Sequence, residues 1–362
     1  MLELDEHNTL DYLRERALLP ADAAARVQLL GWGVSNVVLR VTCEGRDDFV
    51  IKQSREQLRT AAPWFSRLDR VFREMGVLRQ IAPLLPDGVI PRVLFEDREN
   101  FLFGMQAVDA RHTVWKQLLL EGNADTSIAT RLGTYLGTIH RETAGREDVA
   151  AEWGDLEVFD QLRLDPFYRR LGEKHPEIAG PVATLVSDPV QYAGCLVLAD
   201  FSPKNILITG DAISLVDFET GHYGDPAFDL GFFLSHLLLK TVKYAARFDE
   251  YAGLTTAFLE SYRVALGSTL DERIFGNPEL EPRTIRHLAG CMWARIDATS
   301  PVDYLPEEEL RDVVRRFCRA CLLTPTQDWP SVLNLLRTNL KSVNETSPCD
   351  NTTGAPQALP KA

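Results

Sequence analysis

The pattern of apolar and polar residues divides the chain into a strand-rich first part and a helical second part. Residues 26–54, RVQLLGWGVSNVVLRVTCEGRDDFVIKQS, are rich in β-branched residues and are interrupted at GWG and EGRDD, which predicts three antiparallel strands. Residues 64–78, WFSRLDRVFREMGVL, place apolar side chains at helical spacing. Two more strands are predicted in residues 88–108, around the polar turn EDREN. Five strands and one inserted helix therefore predict a compact first lobe over residues 1–107.

Beyond this lobe the pattern is mainly helical. Helical candidates recur to about residue 340, with one β-rich interruption at CLVLAD, NILI and AISLVD. We predict an α+β fold, in which a helical lobe covers residues 108–342 and a disordered tail, poor in large apolar side chains, covers residues 343–362. In the segment TRLGTYLGTIHRET, one apolar stripe is formed by Leu132, Tyr135, Leu136 and Ile139.

Composition and charge narrow the classes of partner. The chain has 52 acidic and 39 basic residues and a formal net charge of −13, which argues against long-range attraction to nucleic acid or to an anionic membrane. The N-terminus lacks the pattern of a secretory signal, and the longest apolar run, LGFFLSHLLLK, is about half the length that crosses a bilayer. We therefore expect a cytoplasmic protein with small-molecule partners. The sequence leaves open whether the chain forms a homodimer.

Three oxygen-bearing side chains follow apolar segments in the second part. Asp200 and Asn205 have the spacing D-x-x-x-x-N, and Asp217 follows twelve residues later in LVDFET. A carboxylate at the end of a buried strand is costly unless it meets a cation, a metal or hydrogen-bond donors, so the recurrence predicts one shared ion. Kinase chemistry needs this set, because one Asp orients the attacking hydroxyl while hard oxygen ligands hold Mg²⁺ on the phosphates of ATP.

The first lobe offers the remaining parts of a kinase site. The turn GWGVSN joins two predicted strands, where Gly31 and Gly33 let the backbone approach phosphates and Ser35 offers a hydroxyl. Lys52 ends the strand FVIK, where it can bind phosphates, and Glu74 on the following helix can pair with it. Each feature also has an ordinary interpretation, as a turn, an edge-strand lysine or an exposed helix acid. Their order along the chain favours nucleotide binding.

In this order the motifs resemble those of the protein-kinase-like small-molecule kinases, the aminoglycoside phosphotransferase and choline kinase superfamily, from about residue 26 to residue 300. Within it the nearest likeness is to methylthioribose kinases, whose V-S-N loop, K-Q segment, W-x-x-x-L-D-R stretch and D-x-E motif read here as GVSN, KQS, WFSRLDR and DFE. The resemblance implies a two-lobed protein-kinase-like fold. It also implies ATP- and Mg²⁺-dependent transfer of the γ-phosphoryl group to a hydroxyl of a methylthioribose-like sugar, an aminoglycoside or an amino alcohol.

The resemblance further implies roles for individual residues. Lys52 and Glu74 would form the phosphate-binding pair, and Asp200 would be the catalytic base. Asp217 and Glu219, from the DFE motif, would be magnesium ligands.

Asn205 would be a further metal ligand, a role that agrees better with the wider superfamily than with methylthioribose kinases. The chain departs from the family patterns in two places, before Asp200 and in the later helical region. The superfamily usually has His-Gly before the catalytic Asp, where this chain has Leu198 and Ala199. Methylthioribose kinases carry paired arginines in the later helical region, where TIRHLAG offers Arg286 and then His287. Arg286 is therefore the predicted acceptor-binding residue, and the identity of the acceptor stays open.

The stretch GHYGDPAFDLGFFL matches the G-D-P-x-x-D-L pattern that often follows the metal-binding Asp in such kinases. We expect Asp229 to brace the catalytic loop through backbone N–H groups, Asp225 to be a helix N-cap, and His140 to be a packing residue rather than a ligand.

Two other interpretations compete with the kinase. A nucleotide-binding pseudokinase with a regulatory role is favoured only by the missing His-Gly. A protein kinase is disfavoured because Asp217 runs almost directly into GDPAFDL, which leaves no long activation segment ending in A-P-E.

Overall fold

The structure, a computed structural model, consists of an antiparallel sheet followed by a mainly helical region, as the sequence pattern predicts. The first five strands form one sheet in the order 1-2-3-5-4, and every neighbouring pair is antiparallel. These strands are β1 (Ala25–Leu29), β2 (Asn36–Cys43), β3 (Phe49–Ser54), β4 (Val93–Asp97) and β5 (Leu102–Gln106). The described residues are 1–31, 36–58, 64–267, 280–324 and 328–346.

Two helices accompany this sheet, α1 (Thr9–Glu15) and α2 (Arg70–Ile81). The prediction that the second of them begins near Trp64 is wrong, because the residues before Arg70 have other partners. Phe65 forms an isolated antiparallel bridge with Gln57, and the Trp64 indole donates to the Gln161 carbonyl at 2.9 Å. The helix itself packs its apolar face into the core as expected.

The second part is mainly helical and contains one π-helical segment over Asp160–Arg169. None of its described helices is both long and apolar enough to span a membrane. The last helix runs four residues into the predicted tail, and residues 347–362 lie outside the described residues. The described helices of this part are α3 (Trp115–Leu120), α4 (Thr126–Thr143), α5 (Glu147–Trp153), α6 (Glu157–Phe159), α7 (Arg170–Lys174), α8 (Ala179–Gln191), α9 (Pro226–Lys243), α10 (Phe248–Leu266), α11 (Leu280–Asp297), α12 (Glu308–Leu323) and α13 (Trp329–Thr346).

The predicted β-rich interruption is present as short strands that position two loops. The strands are β6 (Thr113–Val114), β7 (Cys195–Val197), β8 (Ile206–Thr209), β9 (Ala212–Leu215) and β10 (His222–Gly224). The loop between β7 and β8 carries Asp200 and Asn205, and the turn after β9 carries Asp217. The very short strands β6 and β10 were not predicted, and the strands pair in two small sheets ordered β6-β8-β9 and β10-β7.

Close packing of α4 against α10 depends on glycine. The predicted apolar stripe of α4 is buried, and beside it a methyl group at Gly133 would lie 2.2 Å from the Phe258 carbonyl oxygen and 2.2 Å from Ser261 Oγ. A methyl at Gly137 would lie 2.7 Å from the Tyr262 carbonyl oxygen. Because backbone atoms cannot move aside cheaply, these two positions set how closely the helices approach.

This packing predicts opposite effects for two Gly→Ala substitutions in the same helix pair. Gly133→Ala should lower the free energy of unfolding by about 1–3 kcal/mol through overpacking. Gly253→Ala on α10, where the nearest heavy atom to a new methyl is 3.9 Å away, should raise it by about 0.5–1 kcal/mol through helix propensity. Urea unfolding measures both values. Equal stabilisation by the two substitutions would contradict the close contact at Gly133.

Candidate active site

Lys52 connects three separate segments of the chain. It lies on β3, whose residues are all buried, and its Nζ is 2.7 Å from both carboxylate oxygens of Glu74 on α2. The same Nζ is 2.7 Å from Asp217 Oδ1, in the turn after β9. Glu74 is fully buried and Lys52 is nearly so. The structure therefore brings these three predicted site residues into one contact.

Burial and the mutual charges of this group shift the pKa of each member. Burial opposes the charged form of Lys52, but the carboxylates of Asp217 and Glu74 outweigh it and raise the pKa of Lys52 above its ordinary value. Burial raises the pKa of Glu74 although Lys52 opposes the shift. Burial also opposes ionisation of Asp217, yet the positive charges of Lys52 and Lys204 lower its pKa. Lys52 is thus a firmly charged ammonium at the centre of the site.

Three carboxylates converge where a metal ion would fit. One oxygen each from Glu74, Asp217 and Glu219 lies within 4.8 Å of the others. Glu219 Oε2 accepts from Asn36 Nδ2 at 2.8 Å and from Arg70 Nε at 3.2 Å, which fixes its orientation. Because hard oxygen donors are the ligands that Mg²⁺ prefers, this donor set suits it.

The Asp200 carboxylate is held by cations and an amide. Its Oδ1 is 2.8 Å from Arg163 Nη2, and its Oδ2 is 2.8 Å from Lys204 Nζ. Asn205 Nδ2 donates to Asp200 Oδ2 at 2.9 Å and to the Asp200 carbonyl at 3.0 Å. Since this nitrogen is used within the loop, the amide oxygen of Asn205 is the atom left for a metal.

A buried network braces the loop that carries Asp200. Asp229 Oδ2 and Oδ1 accept from the backbone N–H groups of Leu198 and Ala199, each at 2.7 Å. Asp229 Oδ2 also faces His140 Nε2 at 3.2 Å, and His140 Nδ1 is 2.9 Å from the Tyr262 hydroxyl. The bracing role predicted for Asp229 is confirmed, and His140 is a buried structural residue in the same network.

The arginines of α11 have three different surroundings. Arg283 is buried and pairs with Asp225 through Nε at 2.9 Å. Arg286, the predicted acceptor-binding residue, pairs with Asp188 on α8 at 3.2 Å and makes no hydrogen bond or ion pair to Asp200 within the described residues. Arg295 Nη1 donates to Ser300 Oγ at 3.0 Å, and burial lowers the pKa of its guanidinium. An acceptor role for Arg286 therefore stays a prediction.

Two further predicted features have different outcomes. Asp225 is the N-cap of α9, as predicted, because its Oδ1 accepts from the Ala227 N–H at 2.9 Å. Of the glycine turn, Gly31 lies exposed just after β1, where a methyl group would meet nothing within 4 Å. Gly33 and Ser35 lie outside the described residues.

Sequence reasoning missed several residues that support the site. Asn36 and Arg70, which orient Glu219, stand at the ends of the quoted motifs GVSN and WFSRLDR, so the motifs contained them without indicating their role. Arg163 contacts Asp200 from the π-helical segment and also donates to the Ala199 carbonyl at 2.7 Å. Nothing in the local sequence of Arg163 distinguishes it from a surface arginine.

Backbone strain is concentrated in this site. Four non-glycine residues in the described chain have positive φ, and two of them are Ala199 at 57° and Asp217 at 73°. This region of φ favours glycine. The left-handed conformation at Ala199 gives a geometric reason for the glycine that the superfamily usually has there, and such strain is typical of functional loops.

Comparisons with known proteins agree with the resemblance read from the sequence. A profile of the family described as "Phosphotransferase enzyme family" matches residues 26–267. Methylthioribose kinase 2 from Oryza sativa subsp. japonica is 24% identical over 269 residues, which cover 65% of this chain and 62% of that protein. A 4-hydroxytryptamine kinase from Psilocybe cubensis is 25% identical over 293 residues, which cover 71% of this chain and 79% of that protein. The chain thus spans about three fifths of the length of the rice protein.

Solved structures give the same fold. An amicoumacin kinase in complex with AMP-PNP, Ca²⁺ and Ami superimposes with a TM-score of 0.51 at 15% identity, covering 88% of this chain and 95% of that one. A choline kinase from Cryptosporidium parvum Iowa II gives a TM-score of 0.50 at 12% identity, covering 94% and 95%. At these identities the likeness shows the fold alone, and the predicted two-lobed, protein-kinase-like fold class is confirmed.

The strain at Ala199 can be measured by comparing two buried Ala→Gly substitutions. Ala129 on α4 is equally buried but helical, so Ala129→Gly should lower the free energy of unfolding by about 1–2 kcal/mol. Ala199→Gly loses the same methyl group but relieves the left-handed strain, so its loss should be smaller by at least about 1 kcal/mol. Urea unfolding of both variants tests this difference. Equal losses would show that Ala199 is unstrained.

Proposed function

Because the chain belongs to the phosphotransferase enzyme family, we propose that it is an ATP- and Mg²⁺-dependent small-molecule kinase that phosphorylates a hydroxyl group. The observation that carries the proposal is the Lys52 ammonium held between Glu74 and Asp217, 2.7 Å from each. This contact places a cation for phosphates beside carboxylates for a metal, in a site that the catalytic loop completes with Asp200.

The nucleotide half of the site would work by electrostatics. Lys52 would bind the nucleotide phosphates, while Glu74 holds the ammonium in position from α2. Asp217 and Glu219, with the amide oxygen of Asn205, would hold Mg²⁺. Bound Mg²⁺ would neutralise charge on the phosphates.

The acceptor half would use Asp200. Its carboxylate would orient the acceptor hydroxyl and take its proton, while the hydroxyl oxygen bonds to the γ-phosphorus and the bond to the β–γ bridging oxygen breaks. Arg163 and Lys204 hold this carboxylate on both oxygens, and Asp229 fixes the loop beneath it. The base is thereby positioned before the substrate arrives, which lowers the cost of orienting the reactants.

The phosphoryl acceptor that we propose is a small hydroxylated metabolite. The names of the relatives include a methylthioribose kinase and a 4-hydroxytryptamine kinase, which support a hydroxylated compound without choosing between them. A cytoplasmic location belongs to the same proposal, because ATP and Mg²⁺ are available there.

Replacing the proposed base should separate turnover from nucleotide binding. We expect Asp200→Asn to lower the rate of ADP formation, measured in a coupled assay with a panel of hydroxylated metabolites, by about 10²–10⁴-fold. Binding of AMP-PNP with Mg²⁺ should be nearly unchanged, because the Asp200 carboxylate, among the described residues, bonds to Arg163, Lys204 and Asn205 rather than to Lys52 or the carboxylate cluster.

A matched control is Asp97→Asn, which alters a carboxylate of similar burial that accepts from Tyr12 and pairs with Arg16 outside the site. That variant should keep its turnover. Activity of Asp200→Asn within tenfold of the unmodified protein would remove Asp200 from the role of base. Nucleotide binding without turnover of any panel member would instead favour a nucleotide-binding regulator.

Removing the Lys52 charge should weaken nucleotide binding in a way that stability alone cannot explain. Lys52→Met leaves the buried Glu74 without its cation, so we expect a loss of stability of about 3–5 kcal/mol together with weaker AMP-PNP binding. Adding Glu74→Gln removes the uncompensated charge and should recover much of the stability. Nucleotide affinity, measured by calorimetry, should stay low in the double variant. Recovery of both properties would show that Lys52 serves only the fold.

A further inference from the structure

Basic side chains from three helices lie around Tyr304, with Lys116 Nζ 5.6 Å and Lys240 Nζ 5.1 Å from the centre of its ring. His236 and Lys240 lie one turn apart on α9, Arg295 lies on α11, and Lys116 lies on α3. We call these four residues the basic cluster. Lys240 is 1% exposed and His236 is 8% exposed, so two of the four are core positions rather than surface positions. Buried basic groups of this kind are uncommon unless they are paired.

The basic cluster lacks carboxylate partners for its buried members. Lys240 Nζ donates to the His236 carbonyl at 3.0 Å and lies 5.1 Å from the centre of the Tyr304 ring. Arg295 Nη1 donates to Ser300 Oγ at 3.0 Å. In the described part of the chain, no carboxylate forms an ion pair with Lys240, Arg295 or His236, and Lys116 reaches only the exposed Asp303, at 3.8 Å.

Several polar atoms in the same place are buried and unbonded. Within the described residues, His236 Nε2, Arg295 Nε and the Tyr304 hydroxyl have no hydrogen-bond partner. Native proteins rarely leave such groups unsatisfied, because each costs about 1–3 kcal/mol when buried without a partner. A ligand that accepts hydrogen bonds would satisfy the arginine and the hydroxyl together.

The basic cluster adjoins Asp200 through packed side chains. Arg163, which pairs with Asp200, lies 5.4 Å from the centre of the Phe232 ring, and that ring lies 4.9 Å from the His236 ring. The Phe232 ring is therefore the layer that separates the basic cluster from Arg163 and Asp200.

The electrostatics of the basic cluster favour a negatively charged ligand. Burial, together with the charges of Lys116 and Arg295, lowers the pKa of Lys240 to about 7. Burial and the charges of Lys240 and Arg295 hold the pKa of His236 well below its usual range. Adding another cation would increase this repulsion, whereas an anion would relieve it and restore the charged form of Lys240.

We infer that the phosphoryl acceptor carries an anionic group, a carboxylate or a phosphate, which binds at the basic cluster while its hydroxyl lies at Asp200. This inference rests on the proposed function and names the substrate class of the same site. Arg295 supplies a planar set of donors suited to either anion, and Lys240 and Lys116 supply charge. The basic cluster disfavours aminoglycosides and amino alcohols, which the sequence resemblance left open, because their ammonium groups would face four basic residues.

Compounds that differ only in charge test the inference. The probes are gluconate, glucitol and glucamine, a shorter series of glycerate, glycerol and 3-amino-1,2-propanediol, and inorganic sulfate as a small anion. Binding is measured by calorimetry on the full chain with AMP-PNP and Mg²⁺ present, and turnover by ADP formation with ATP. We expect the anionic member of each series to bind most tightly and to be phosphorylated. Glucitol 6-phosphate distinguishes a phosphate-binding site from a carboxylate-binding site.

Variants locate the binding. Lys240→Met and Arg295→Met should each weaken binding of the preferred anion by about 10–100-fold, since each removes a charge-assisted contact. Binding of AMP-PNP and of glucitol should change little. Lys341→Met, which removes one positive charge from the exposed end of α13, is the control and should leave anion binding unchanged.

The outcomes separate this inference from the proposed function. The inference is overturned if the neutral or cationic member binds most tightly in both series, or if gluconate, glycerate and sulfate all fail to bind. Either result overturns it whether or not a neutral compound is phosphorylated. Anion binding that Lys240→Met and Arg295→Met leave unchanged also overturns it. Anion binding that both variants weaken, with no turnover of any compound, supports the basic cluster and refutes the kinase.

Discussion

The buried Lys52 ammonium is the interaction on which the site depends. It joins β3, α2 and the turn after β9, three segments far apart in sequence, and it does so where water cannot compensate an unpaired charge. The three carboxylates of the cluster face two cations, Lys52 and Arg70, so one formal negative charge is left within it. A divalent cation would supply that charge and still leave positive charge for phosphates. The same contacts that hold the first lobe to the second therefore favour a metal and a nucleotide between them.

The loop that carries Asp200 is held in a different way, by backbone hydrogen bonds rather than by ion pairs. Asp229 receives two loop N–H groups and is itself held by His140, so the loop has a fixed base although Ala199 is in a left-handed conformation. The superfamily usually has His-Gly before the catalytic Asp, and here the bracing does not depend on it. Leu198 contributes its backbone N–H, which any residue except proline would offer. This explains how the loop can keep its shape while its sequence departs from the family pattern.

The parts of the fold and site that the sequence predicts are those with a local signal. Runs rich in β-branched residues locate the five-stranded sheet, helical spacing locates the α4 stripe, and turn residues bound both. The order of motifs along the chain relates Lys52, Glu74 and Asp217, because each stands in a recognisable motif. Residues whose role depends on distant partners have no such signal. Arg163 lies 37 positions from Asp200. Residues 64–69, predicted as the start of α2, are not helical, and the Trp64 indole there bonds to a carbonyl almost a hundred residues away. The basic cluster could not be predicted from the sequence for the same reason, since its members come from three helices and none stands in a motif.

The two halves of the site differ in how they balance charge, and this difference bears on the acceptor. In the cluster around Lys52, cations of the protein pair with all but one of the carboxylate charges. Beside Asp200 the described residues carry an excess of basic groups, although the whole chain has a formal net charge of −13. Net charge therefore says nothing about this pocket, because fields within a few ångströms are set by the nearest groups. An anionic acceptor must approach both a triphosphate and the Asp200 carboxylate, and that approach is repulsive unless cations stand between them. Arg163 and Lys204 lie on the carboxylate itself and the basic cluster lies beyond it, so each step of the approach meets a compensating charge.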